Sequence, residues 1–177
     1  MIVVTDLIRD VIAAASERCG MNINFLFGDW KYISNVLSIW DKAGMPGGKY
    51  PLVALFSPFD EDKTDRRYAC KTTVDLLICV NTLSGYTNEQ RQEHSFREVL
   101  RPVYLAFIES LRKDRRFDFY EGVVPHIYSE NYRYGSRGVM SSDGKPFNDK
   151  IDGIDIKNLE LKIKHEKENY CYGNRLL

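Results

Sequence analysis

The sequence predicts an α+β fold in which a mostly antiparallel, twisted sheet is packed by an N-terminal helix and one long central helix. Three observations carry this. "FREVLRPVYLAFIESL" keeps Phe96, Val99, Leu100, Val103, Tyr104, Phe107, Ile108 and Leu111 at helical spacing. "YPLVALF" and "KTTVDLLICVNTL" are apolar runs bounded by turn residues, as expected of central strands covered on both faces. Helices and strands occur in blocks rather than in strict alternation.

In chain order, "TDLIRDVIAAASERCG" reads as an amphipathic helix with Thr5 as candidate N-cap, a stripe of Leu7, Ile8, Val11, Ile12 and Ala15, and Gly20 as its stop. "NINFLFGDWKYISNVLSIWDK" fits a short strand followed by a strand or a helical turn, and "AGMPGGKYP" a loop. The central helix has two candidate starts, a capping box at Thr87 and Gln90 or an entry near Ser95. Pro102 lies inside its stripe and predicts a kink or a break, because proline removes a backbone donor. "FDFYEGVVPHIYSENYRYG" suggests a strand with an exposed aromatic edge. A long mobile loop is expected near 135–150 and a polar tail from 165.

The last strand is unusual. In "DGIDIKNLELKIK" the apolar side chains sit on even positions at Ile154 and Ile156 but on odd ones at Leu159, Leu161 and Ile163. An extra residue at Lys157-Asn158, a β-bulge, would return all five to one face, and asparagine suits the backbone angles required. Because bulges concentrate at sheet edges, Asn158 is expected near an edge that another subunit can use.

The 177 residues predict one domain, 1–177, and 25 Lys+Arg balance 25 Asp+Glu, so no global basic field favours nucleic acid. Asp6, Arg9 and Asp10 interrupt the apolar N-terminus, which argues against a signal core or membrane span and for a soluble protein made in the cytoplasm. Cys19, Cys70, Cys79 and Cys171 form no C-x-x-C pair and are expected to be buried free thiols.

Catalytic signals are sparse. Glu61-Asp62-Lys63 within "PFDEDK" matches half of a PD-(D/E)xK nuclease site, in which carboxylates hold Mg²⁺ and the lysine steadies charge at the phosphate. It falls in an apparent turn, however, and the upstream Asp41 is poorly placed. His94, His126 and His165 form no metal-binding pair, and no nucleotide-binding or nucleophile-elbow motif occurs. Asp75, alone in its apolar run, should either be exposed or find an arginine, hydroxyl or backbone amide. "KDRR", Lys113 to Arg116, reads as a basic helix end complementing the helix dipole.

Taken in order, "FLFGDWKYISNVL", "KYPLVALFSPFDE", "VDLLICV", "VLRPVYLAFIESL" and "IDGIDIKNLELKI" resemble small tail-completion or tail-terminator proteins of tailed bacteriophages and prophages, particularly those of Bacteroides-type genomes. The resemblance implies a structural subunit of the virion that forms a homo-oligomeric ring at the tail-tube end or the head-tail junction. It would meet tail-tube and head-connector proteins, with no cofactor, catalytic residue, membrane or specific nucleic acid. Tyr128, Tyr132 and Tyr134 are candidate interface aromatics, with Asn158 beside them. The alternatives are a metal-dependent nuclease using Asp60, Glu61, Asp62 and Lys63, or a non-catalytic binding module of a mobile element.

Overall fold

The computed structural model describes residues 3–43, 48–134 and 150–165. The expected mobile loop near 135–150 and the polar tail from 165 lie almost wholly outside these residues, as does Cys171. Elements follow the order α1 (Val4–Cys19), β1 (Asn24–Gly28), α2 (Trp30–Ala43), β2 (Leu52–Phe56), β3 (Glu61–Asp62), β4 (Cys70–Asn81), α3 (Asn88–Arg91), a π-helical stretch (Gln92–Leu100), α4 (Arg101–Lys113), β5 (Ile127–Tyr134) and β6 (Ile151–Ile163). The sheet runs β1-β2-β4-β6-β5, with β3 extending the line of β2 along β4. Among the described strands only β1 and β2 pair in parallel. The α+β architecture expected from the sequence is therefore the one observed.

α1 and the central helix (residues 88–113) cover one face of the sheet. Their stripes, Leu7, Ile8, Val11 and Ile12 on α1 and Phe96, Leu100, Val103, Phe107 and Leu111 on the central helix, share a core with Val53, Leu55, Val74, Leu76 and Ile78. Gly20 ends α1 in the left-handed conformation (φ 70°), its N–H reaching the Ser16 carbonyl. The N-cap is Val3, which places Thr5 within the first turn rather than at the cap.

Among the described residues the other face is covered at one end, by a third helix where the sequence suggested a strand or a helical turn. Asp29 starts α2: its Oδ1 accepts the Tyr32 N–H at 2.7 Å and its carbonyl the Ile33 N–H at 3.0 Å. Ile33 and Leu37, one helical turn apart, then pack on Leu52, Ala54, Leu77, Cys79 and Ile151. Aromatic and β-branched residues obscure the helix locally. It is secured by this packing and by being the crossover between two parallel strands.

The phase change in β6 is a bulge. Val74 pairs with Leu159 and Leu76 with Ile156, so Lys157 and Asn158 together face Asp75. Asn158 adopts φ 53°, and Ile154, Ile156, Leu159, Leu161 and Ile163 all enter the same core. Without the extra residue Ile154 and Ile156 would turn outward, forfeiting about 3–6 kcal/mol at roughly 1.5–3 kcal/mol per side chain. The expected edge position needs correction: β6 lies between β4 and β5, and the bulge faces β4. The free edges of the described sheet are β1 and β5.

Candidate interaction surfaces

β5 is paired with β6 on one side, from Ile127↔Lys157 to Tyr134↔Ile151. Among the described residues nothing pairs with its other side. The side chains of Tyr128, Glu130 and Tyr132 turn towards the central helix. The Tyr132 ring lies 4.5 Å from Phe96, and the Tyr128 ring meets Tyr104 edge-on at 4.8 Å. Between them Glu130 takes a two-pronged contact from Arg101, Nε to Oε1 at 2.7 Å and the second guanidinium nitrogen to Oε2 at 3.1 Å. This contact lowers the Glu130 carboxyl from its ordinary value against the opposing pull of burial, whereas burial and then Glu130 raise the Tyr128 hydroxyl. His126 closes the row, its ring bridging the Tyr104 hydroxyl and the Val124 carbonyl at 2.8 Å each.

The structure thus separates the four residues singled out in the sequence. Tyr132 is half-buried against Phe96 and spends most of its ring on internal packing, while Tyr128 keeps 39% of its surface exposed. Tyr134 takes its place in the ladder opposite Ile151, with its side chain outside the described residues. Asn158 lies beyond the end of the β5 ladder, on the face turned away from the central helix. Further exposed apolar groups cluster at the start of β5 and in the chain before it: Ile127, and Tyr120 and Val123 upstream, are each more than half exposed.

The open part of the second sheet face forms a groove of about 550 Å³ whose walls include Phe59, Asp62, Lys71, Thr73, Glu160 and Lys162. Glu160 and Lys162 also border a smaller hollow, about 250 Å³, with Phe119, Tyr120, Val123 and Pro125. Of the nuclease-like triplet only Asp62 lines this groove, and Glu61 and Asp62 form a short strand against Thr72 and Lys71 rather than a turn. Glu61 is engaged by Lys63 at 2.8 Å, and Asp62 accepts from the Thr64 N–H and hydroxyl. Asp41 lies in α2, its side chain outside the described residues. Among the described residues no group of three His, Cys, Asp or Glu side chains is placed to hold a metal ion. His94 instead meets Glu98, and His165 the Arg66 carbonyl.

No family model, curated protein or solved structure matches this chain.

Sequence reasoning missed the most buried polar assembly. Arg91, 1% exposed, donates to Asp152 Oδ1 at 3.0 Å, Thr82 Oγ1 at 2.9 Å and the Leu83 and Tyr86 carbonyls at 2.7 and 3.3 Å. Ser95 Oγ donates to Asp152 Oδ2 at 2.7 Å. A signal was present: Asp152 shares the even phase of Ile154 and Ile156, which puts a carboxylate at a core-facing position of β6. Asp75 is the opposite case, exposed and bonded to a backbone amide as expected. Cys70 and Cys79 are buried and Cys19 half-buried, and burial raises the Cys70 thiol.

Proposed function

We propose that this chain is a structural morphogenesis protein of a tailed phage or prophage, of tail-completion or tail-terminator type. It forms a homo-oligomeric ring at the tail-tube end or the head-tail junction, contacts tail-tube and head-connector proteins, and is a virion component made in the bacterial cytoplasm. The ordered resemblance of five segments supports the family, and the open edge of β5 supports the self-association. That edge is eight residues long, carries no proline, begins at exposed Ile127 and is led into by exposed Tyr120 and Val123. Head-to-tail contacts through such an edge close into a ring when the rotation between subunits permits. Consistent with a component of an aqueous assembly, no described helix is long and apolar enough to cross a membrane.

Light scattering across a concentration series tests this reading, with Val123→Lys and Ile127→Lys as edge variants. A ring-sized species that the two lysines abolish supports it. A monomer at millimolar concentration that also fails to bind tail-tube protein overturns it. The competing nuclease reading predicts Mg²⁺-dependent DNA cleavage that Glu61→Ala with Lys63→Ala removes.

A further inference from the structure

We propose that the Arg91–Asp152 ion pair is a register lock on the central helix: it holds residues 92–100 in the wide π form, and when it is withdrawn the same residues contract into the α form. The inference is independent of the phage assignment.

The buried residues at this end of the helix are Arg91, Ser95, Phe96 and Leu100. Arg91 and Phe96 are five apart, and in an α-helix, at 3.6 residues per turn, such positions diverge by about 140° around the axis. A π-helix bonds residues five apart and, being wider, brings such positions closer to one face, and the Arg101 N–H indeed reaches the Phe96 carbonyl. The wide form is thus what lets Arg91 and Phe96 both point inward.

Local chemistry defines where the stretch ends. Thr87 and Gln90 form a reciprocal capping box that anchors the start of the helix. Pro102 has no N–H to give, so an α-helix running through it leaves one carbonyl without its donor. The step from wide to narrow winding orphans a carbonyl in any case, and the proline sits at that step. Neither feature demands π winding in between. A nine-residue π stretch is far longer than a single-turn π-bulge, and tertiary contacts must hold it. Phe96 and Leu100 pack into the core and Arg101 pairs with Glu130 at its far end, while the buried polar contacts at its start are those of Arg91 with Asp152, Thr82 and two loop carbonyls, supplemented by Ser95 on the second carboxylate oxygen.

Burying a charge pair is a poor route to stability, because desolvation offsets the attraction, and fixing a register is the best-attested use of buried polar groups. The location fits that use. Asp152 is the second residue of β6, across from Val80, and its neighbour Ile151 pairs with Tyr134. Helix winding is therefore tied to the end of the sheet where the open edge strand β5 finishes.

The test replaces the pair by apolar groups of similar shape, Arg91→Met with Asp152→Leu, and determines the structure. The Arg101 N–H is expected to leave the Phe96 carbonyl for that of Arg97, with residues 92–100 α-helical. Retention of the Phe96 bond overturns the proposal. Should that variant not fold, native-state hydrogen exchange of Arg91→Lys decides. Amides 92–101 should exchange about tenfold faster while amides 103–111 are unchanged, and equal exchange in both segments overturns the lock. Ser95→Ala keeps the pair and should keep the π form. If Ser95→Ala alone relaxes the stretch to α, the lock is assigned to the wrong contact and the proposal fails.

Discussion

The backbone N–H of Asn158 donates to Asp75 Oδ1 at 2.8 Å, at the point where two residues of β6 face one of β4. The extra residue leaves a ladder donor without its regular partner, and the carboxylate opposite takes it. The one charge in the apolar run 74–80 of β4 thus serves the irregularity of its neighbour.

Asn158 should tolerate glycine and resist branching. At φ 53° a β-branched side chain clashes with its own backbone, so Asn158→Val is expected to cost about 1–2 kcal/mol in urea unfolding, whereas Asn158→Gly should be nearly neutral.

Breaking the buried ion pair from one side should cost far more than removing both sides. Asp152→Leu alone leaves the Arg91 guanidinium buried without its counter-charge and is expected to lose about 3–5 kcal/mol. Arg91→Met with Asp152→Leu should recover most of that loss, and a double-mutant cycle by chemical denaturation reads the difference.

Gly153 marks a close approach within the sheet. A Cβ there would lie 2.7 Å from Leu77 Cδ1 and 3.3 Å from the Ile78 carbonyl oxygen. Gly153→Ala should therefore destabilise by about 1–3 kcal/mol through overpacking, measurable as a fall in Tm.

The Arg101–Glu130 pair should make stability acid-sensitive. Hydrogen bonds from Arg101 lower the folded-state value for Glu130, so the unfolded chain binds the proton more readily. The contribution is present above the ordinary glutamate range and is lost as pH falls through the folded value. Glu130→Gln is expected to lose about 1 kcal/mol at neutral pH relative to the parent, with the gap closing below about pH 4.

Much of the fold was legible because it rests on periodicity. The stripe from Phe96 to Leu111, the α1 stripe, the capping box at Thr87 and the phase change at Lys157-Asn158 each report burial on one side of a regular backbone. α2 was not legible as a helix, since Trp30, Tyr32, Ile33, Ile39 and Trp40 favour strand when read locally. The π stretch was equally hidden, because the apolar residues from Phe96 onward suit an α-helix and only Arg91, read as polar and outward, breaks that pattern. The candidate tyrosines were found by composition, but which of them face inward is decided by the partners across the helix, Phe96 for Tyr132 and Tyr104 for Tyr128.

By itself the sequence determined the class of the fold, the central strands, the bulge and the face that the last strand buries, since each follows from the spacing of apolar side chains along one element. Tertiary structure alone decided that β6 lies inside the sheet with β5 at its edge, and that Arg91 meets Asp152 across 61 residues. Strand order and the pairing of two buried charges are relations between distant elements, set by which faces pack together, and no local spacing encodes them.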